Sequence, residues 1–363
     1  MNVSPTCRLL SLSLGLFLGG FVTGSLPGCT SNPDEDIRDI SLEIDFQRTD
    51  QMMQACALYL KENPGADYYA TYDRFLKAEG DFFYEMLGGL EMLRGRRLSE
   101  AEQDSLLANN LIPLLSDSII QMLLDTVQRV FPADFPFEQR LEKPLKRLKK
   151  HFPDIELPAF RTHVNGFVAA GTINSVDQIV PLPAHFSFGL HYFLGRDFSY
   201  PPNIPKYICN RFASEYLEVN MAHEVATGMV APLPRDRQPN LIELMVYEGI
   251  KLYFVQQMLP HTPDSLRFYY TTSQMQWANR YEQNIYKELL PHFYSDDFKA
   301  QRDYLTEKPY TTQISPESAP RIGAFLGARI VENYMRRHPE VSLETLSEMT
   351  DYTSIFKAAK YKP

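Results

Sequence analysis

Residues 241–258 read LIELMVYEGIKLYFVQQM. At helical spacing this segment is apolar on nearly every side, which predicts a buried central helix from Leu241 to Met258. Glu243 and Glu248 within it need partners, because a buried carboxylate without one is costly. The candidate partners are Lys251, Arg280 and Arg321. A structural ion pair and a functional pocket are the two explanations for these charges.

Further helices are predicted on both sides from apolar spacing, capping residues and stop signals. Toward the N-terminus they are a helix capped by Asp50, helical spacing from Tyr68 to Leu93, a helix behind a Ser99–Glu102 capping box, and one or two helices around Pro113 over 111–130. Toward the C-terminus they cover 206–229 in one or two pieces, 264–289, 318–338 and 343–349. In the basic segment 137–152, Pro144 predicts a helix that starts near Lys143, or a kink, because proline is poorly tolerated inside a helix.

Two short segments, Phe160–Val168 and His185–Leu190, carry the β-branched and aromatic residues typical of strands. They place a small sheet at about 158–190, between two helical parts of the chain. The predicted fold class is therefore mainly α with a small central β-sheet (α+β). We predict that 46–363 forms a single, mostly helical domain.

The N-terminus carries a targeting pattern, since an apolar run from Leu9 to Val22 is followed by Leu26-Pro27-Gly28-Cys29. Bacterial lipoproteins are cleaved before such a cysteine, which is then acylated with palmitate-type chains. Each methylene of these chains that is buried in the membrane contributes about 0.8 kcal/mol to the free energy of membrane binding. We predict a signal peptide at 1–28 and a lipidated Cys29 with an acidic tether at 29–45. A cleaved secretory signal, or a membrane anchor, with an incidental cysteine is the alternative.

Composition narrows the classes of function. The chain has 363 residues and a formal net charge of −9, which argues against a nucleic-acid partner because such proteins need a basic face. No later stretch is long and apolar enough to span a bilayer. Beyond Cys29, Cys56 and Cys209 remain as two buried free thiols or as one disulfide, and the spacing does not force them to pair.

A partial zinc-peptidase motif lies at His223-Glu224. In an H-E-x-x-H helix two histidines one turn apart bind zinc, and the glutamate between them acts as general base. Here Thr227 stands in place of the second histidine, while Glu248 on the next predicted helix could be a ligand. His185 or His191 would have to complete the site. The alternative is a helix with two partly exposed polar residues and no metal.

Several segments together resemble the gliding-motility lipoprotein family GldB of Bacteroidetes. These segments are FGLHYFLGRD at 188–197, LIELMVYEGIKLYF at 241–254, EQNIY at 282–286, APRIGAFLGARIV at 319–331 and KYKP at 360–363. The resemblance runs in order from about Leu141 to the end of the chain. It departs at His191, where the family tends to carry an aspartate.

The resemblance implies an envelope lipoprotein associated with gliding and type IX secretion, in a family not known as enzymes. It also implies distant similarity to predicted zinc-dependent proteases, so the fold is predicted to be a degenerate zincin-like domain. His223, Glu224 and Glu248 would align with the zinc site, and Thr227 departs from it. Glu243, Arg280, Arg321 and His191 are further structural or pocket candidates.

The leading hypothesis from the sequence is a non-enzymatic lipoprotein that acts through contacts with other envelope proteins and has no cofactor. Acylated Cys29 would hold it to a membrane, preferably the outer one, facing the periplasm or the cell surface. The first alternative is a membrane-tethered zinc metallopeptidase or metal-binding protein, with Glu224 as base and His223 and Glu248 as ligands. The second is a lipid-anchored domain that binds a peptide or glycan.

Overall fold

The computed structural model describes residues 37–87, 98–167 and 178–363. The predicted signal peptide, Cys29, the first part of the tether, Leu93 and Val168 lie outside the described residues. The strands are β1 (Phe46–Gln47), β2 (Ala159–His163), β3 (Ile179–Pro181) and β4 (His185–Gly189). The helices are α1 (Thr49–Glu62), α2 (Tyr68–Phe75), α3 (Gly80–Met86), α4 (Glu100–Ser116), α5 (Ser118–Val130), α6 (Phe137–His151), α7 (Lys206–Cys209), α8 (Leu217–Met229), α9 (Leu241–Met258), α10 (Asp264–Arg267), α11 (Thr272–Arg280), α12 (Glu282–Leu289), α13 (Phe298–Leu305), α14 (Ile322–Arg337), α15 (Leu343–Glu348) and α16 (Tyr352–Ala359).

The strands form one mixed sheet in the order β1-β2-β4-β3. β1, β2 and β4 are parallel, and β3 runs antiparallel to β4. β2 and β4 are buried along nearly their whole length, as is usual for parallel strands covered on both faces. The predicted α+β class is confirmed. The sequence patterns missed β1 and β3, which have only two and three residues and so show no alternation.

Helix α9 forms the centre of the helical part, with the bounds predicted from its all-round apolar pattern. It packs most extensively on α14, and two glycines allow this close crossing. A Cβ placed on Gly327 would lie 1.7 Å from the carbonyl oxygen of Met245, and one on Gly249 would lie 2.3 Å from the carbonyl carbon of Gly327. Only glycine permits two backbones to approach so closely.

The prediction that Asp50 caps α1 is wrong. The residue at the cap position is Arg48, which makes no side-chain cap bond. Asp50 is fully buried and accepts hydrogen bonds from Arg48 Nε at 2.7 Å, from Gln128 Nε2 at 2.8 Å and from the hydroxyl of Thr162. A buried carboxylate needs such partners, so Asp50 joins α1 to α5 and β2 instead of capping its own helix.

Neither Pro113 nor Pro144 marks a helix boundary. Helix α4 continues through Pro113, and the break to α5 comes at Asp117, whose side chain accepts from the backbone N–H of Ile119 at 2.8 Å. Helix α6 runs from Phe137 through Pro144, so the predicted start near Lys143 is wrong. The buried face of α6 extends on both sides of Pro144, and packing of such a face outweighs local propensity.

The segment predicted as a helix over 264–289 is three helices. The first break follows α10, where Tyr269 has φ +58°, a left-handed conformation uncommon for a bulky residue. The second lies at Tyr281, between α11 and α12. The first break turns the Tyr269 side chain toward α8, where the candidate site is formed.

In the described ranges no single helix is long and apolar enough to cross a membrane. Helices α4 and α5 together meet that test by length and composition, but they bend by 78° at their junction.

Cys56 and Cys209 are free thiols. Burial raises the pKa of the Cys56 thiol to about 12, so it stays protonated and unreactive at neutral pH.

Candidate functional site

Helix α8 carries the partial peptidase motif, and its side chains are held by backbone groups. His223 Nε2 donates a hydrogen bond to the carbonyl oxygen of Arg267 at 2.9 Å, so this ring nitrogen carries the proton. The imidazole stacks on Tyr269, with ring centroids 4.6 Å apart. Thr227, in the place of the second histidine, donates its hydroxyl proton to the carbonyl oxygen of His223 at 2.9 Å.

His223 is neutral at pH 7. Burial lowers the pKa of its imidazole to about 3, and the carbonyl of Arg267 opposes that shift. The positive charges of Arg321 and Lys251 lower the pKa further, while Glu248 raises it. His223 and Glu248 therefore share one electrostatic environment with two cations.

Glu248 on α9 is ion-paired through both oxygens. Its Oε1 lies 2.6 Å from Lys251 Nζ, and its Oε2 accepts from Arg321 Nη2 at 2.9 Å. Burial works against ionisation of this carboxyl, but the two cations outweigh it and hold its pKa below the usual range. Arg321 reaches Glu248 from the position before α14, where its backbone is left-handed with φ +49°.

Tyr269 connects this group to the edge of the sheet. Its hydroxyl donates to Asn220 Oδ1 at 2.9 Å, and Asn220 Nδ2 donates to Gln178 Oε1 at 2.6 Å, next to β3. The guanidinium carbon of Arg211 lies 4.4 Å from the Tyr269 ring centroid. Burial raises the pKa of Tyr269, and the negative charge of Glu224 adds to the increase.

We call His223, Glu248, Lys251, Tyr269 and Arg321 the His223 cluster. The histidine, the glutamate and the two cations were sequence candidates. Tyr269 was missed, because its place depends on a left-handed turn that no local spacing signals.

The donor atoms of the His223 cluster do not fit a catalytic zinc site, which has three protein ligands. Thr227 stands in place of the second histidine, with its hydroxyl donated to a carbonyl, and both oxygens of Glu248 are used on cations. His185, one suggested third ligand, pairs through Nδ1 with Glu85 at 2.8 Å. Across 37–87, 98–167 and 178–363 no three His, Cys, Asp or Glu side chains are grouped to hold a metal ion.

Glu243 has a different partner from those predicted. It forms a capping box with Asn240 and accepts from Arg237 Nη1 at 2.8 Å and Nη2 at 2.6 Å. These bonds hold its pKa below the usual range. Arg280 is exposed and lies 5.7 Å from the ring centroid of Tyr281. The capping-box spacing of Asn240 and Glu243 is the sequence signal that could have identified this structural role.

His191 belongs to a buried histidine pair. Its ring lies 5.8 Å from that of His163, whose Nδ1 is 2.7 Å from the hydroxyl oxygen of Ser187. Burial lowers the pKa of both imidazoles to about 3, and for His191 the neighbouring His163 adds to the effect. Both rings are neutral at physiological pH.

The comparisons with known proteins identify one family. The family model described as "Gliding motility protein GldB" matches residues 30–363. No curated protein and no solved structure matches the chain. Because the match covers well over half of the chain, the protein belongs to the GldB family of gliding-motility lipoproteins.

Proposed function

We propose that this GldB-family lipoprotein acts by protein contact in the cell envelope, as a non-enzymatic component of the motility and type IX secretion machinery. The observation that carries the proposal is the use of the motif's reactive atoms for structure. The Thr227 hydroxyl, in place of the second histidine, donates to the His223 carbonyl, and Glu248 is neutralised by Lys251 and Arg321.

The charge balance of the His223 cluster supports the same proposal. A zinc peptidase needs a metal-bound water whose proton passes to a glutamate base. In this cluster Arg321 and Lys251 supply the positive charge beside Glu248. The Glu248–Arg321 pair links α9 to the start of α14, so the group fits a role in holding the two helices together.

The proposal includes anchorage by acylated Cys29 in the outer membrane. The family match begins at residue 30, directly after Cys29, which supports a boundary at this cysteine. Acyl chains of this kind retain a protein at a membrane without a spanning helix.

A substitution at Glu224 separates contact from catalysis. Deleting the gene with its neighbours intact should impair surface spreading or secretion. We expect Glu224→Gln, placed in the deletion strain, to restore both as well as the wild type does, because the amide keeps the shape of the side chain and removes only its basicity. The matched control is Glu156→Gln at an exposed position. Protein amounts are compared by immunoblot.

Failure of Glu224→Gln to restore spreading, at normal protein level and with Glu156→Gln active, would support a peptidase instead. The zinc content of the full chain, purified without added metal, gives a second reading. About one equivalent of zinc that is lost in His223→Ala would contradict the proposal, since catalytic sites hold one ion.

A further inference from the structure

A pocket of about 670 Å³ lies beside the junction of α11 and α12. One wall is formed by Trp277 of α11, Tyr281 at the junction, and Asn284 and Glu288 of α12. The Trp277 and Tyr281 rings lie 5.2 Å apart at an angle of 45°. The pocket has the size of ordinary small-ligand sites.

The opposite wall is the loop between α13 and α14, which contributes Gln313, Ser315 and Glu317. Ser318 fixes this loop, since its hydroxyl accepts from the Thr311 N–H at 2.9 Å and donates to the Ser315 carbonyl at 2.6 Å.

A second set of bonds ties the loop to its surroundings. Thr311 donates its hydroxyl proton to the Ala319 carbonyl at 2.8 Å, and Gln274 Nε2 on α11 donates to the Pro309 carbonyl at 2.9 Å. The two walls are therefore held in place before any ligand arrives, which lowers the entropic cost of binding.

The lining of the pocket selects for positive charge. It contains two exposed carboxylates, Glu288 and Glu317, and no lysine or arginine among the described residues. Two aromatic rings add attraction for a cation through their negative faces. The Tyr281 ring already contacts one cation of its own chain, since the guanidinium carbon of Arg280 lies 5.7 Å from its centroid. An anion would meet the two carboxylates and a chain of net charge −9.

We infer that the pocket receives an arginine or lysine side chain from a partner protein. The inference rests on the proposed function and specifies the chemistry of the contact: a basic segment lays a side chain against the Trp277 and Tyr281 wall, with its charge near Glu288 and Glu317. A neutral glycan would also stack on the rings, but it would gain little from the two carboxylates.

Trp277 is the sole tryptophan of the chain, so its fluorescence reports on this pocket. The probe is the blocked peptide acetyl-Gly-Arg-Ser-Arg-Gly-amide, titrated into the full-length protein in neutral detergent. The matched peptide has glutamine in place of both arginines. We expect a saturable fluorescence change with the arginine peptide only, and weaker binding at high salt.

The double variant Glu288→Gln/Glu317→Gln should weaken binding about tenfold, because each carboxylate lost removes part of the attraction for the cation. The control is Glu62→Gln/Glu156→Gln, which changes net charge equally at exposed positions outside the pocket. Calorimetry repeats the comparison without relying on Trp277. Equal weakening in both double variants would reveal non-specific attraction and overturn the inference.

A response to chitohexaose with none to the arginine peptide would also overturn the inference and assign the pocket to a glycan.

The proposed contact function and the proposed arginine pocket can fail independently of each other. Loss of spreading in Glu224→Gln would remove the contact function and leave arginine binding in place, whereas absent arginine binding would leave the Glu224→Gln result unchanged.

Discussion

His163 and His191, at the sheet, are almost completely shielded from solvent. His163 and His191 are 2% and 0% exposed, and their neighbours include Ser187, Phe167 and Tyr192. In the unfolded chain an imidazole has a pKa near 6.5, whereas burial holds the pKa of both residues near 3 in the fold. Protons therefore bind the unfolded state first as the pH falls.

The free energy of unfolding should decrease below about pH 6.5 and continue to decrease toward pH 3. Between those values the unfolded state binds more protons, so each of these histidines removes about 1.4 kcal/mol per pH unit. Urea unfolding at pH 7, 6 and 5 measures the slope. His191→Phe, which keeps a ring among Phe167 and Tyr192, should make the slope shallower by about one proton. An unchanged slope would contradict this account.

At the scale of elements, α9 and α14 depend on glycine at their crossing. The α9 bounds could be predicted because the segment is apolar on nearly every side. The Ser99–Glu102 capping box could also be predicted from the sequence. The broken segment after Asp264 could not be predicted, since its turn depends on the left-handed backbone of Tyr269.

Gly327→Ala should destabilise the protein by about 1–3 kcal/mol or more, because the added methyl would overlap the Met245 carbonyl and force the helices apart. The control is Gly228→Ala near the end of α8, where a Cβ meets nothing within 4 Å. That change should be neutral or stabilising by about 0.5–1 kcal/mol, since alanine favours a helix. Thermal unfolding by circular dichroism compares the two, and equal melting temperatures would refute the crossing argument.

At the scale of the whole molecule, the family resemblance identified a motility lipoprotein, while the motif alone suggested a zinc peptidase. The difference lies in side chains distant in sequence. Arg321 pairs with an oxygen of Glu248 that a metal would need, while Arg267 and Tyr269 fix the His223 ring, and none of the three has a fixed spacing from His223. The pocket at Trp277 was equally hidden, because its second wall comes from a loop after α13.

Replacement of the predicted lipid site tests the anchorage. We expect Cys29→Ser to move the protein from the membrane fraction to the soluble envelope fraction, because the serine hydroxyl cannot take the thioether-linked lipid. Cys209→Ser, at a free thiol within the fold, is the matched control and should remain with the membrane. Cys29→Ser protein that still sediments with membranes would show that another feature holds it there.

The short strand β1 determines how a pulling force would enter the fold. Its two residues connect the N-terminal segment to the sheet, where the Phe160 N–H donates to the Asp45 carbonyl at 2.7 Å. Directly behind it, Arg48 and Asp50 are bonded to α5 and β2. Under tension from an anchored N-terminus, β1 would peel away first and free residues 37–47, which span at most about 36 Å when extended at roughly 3.3 Å for each residue. The Asp50 bonds would then bear the load, so the protein carries a built-in extensible link ahead of its core.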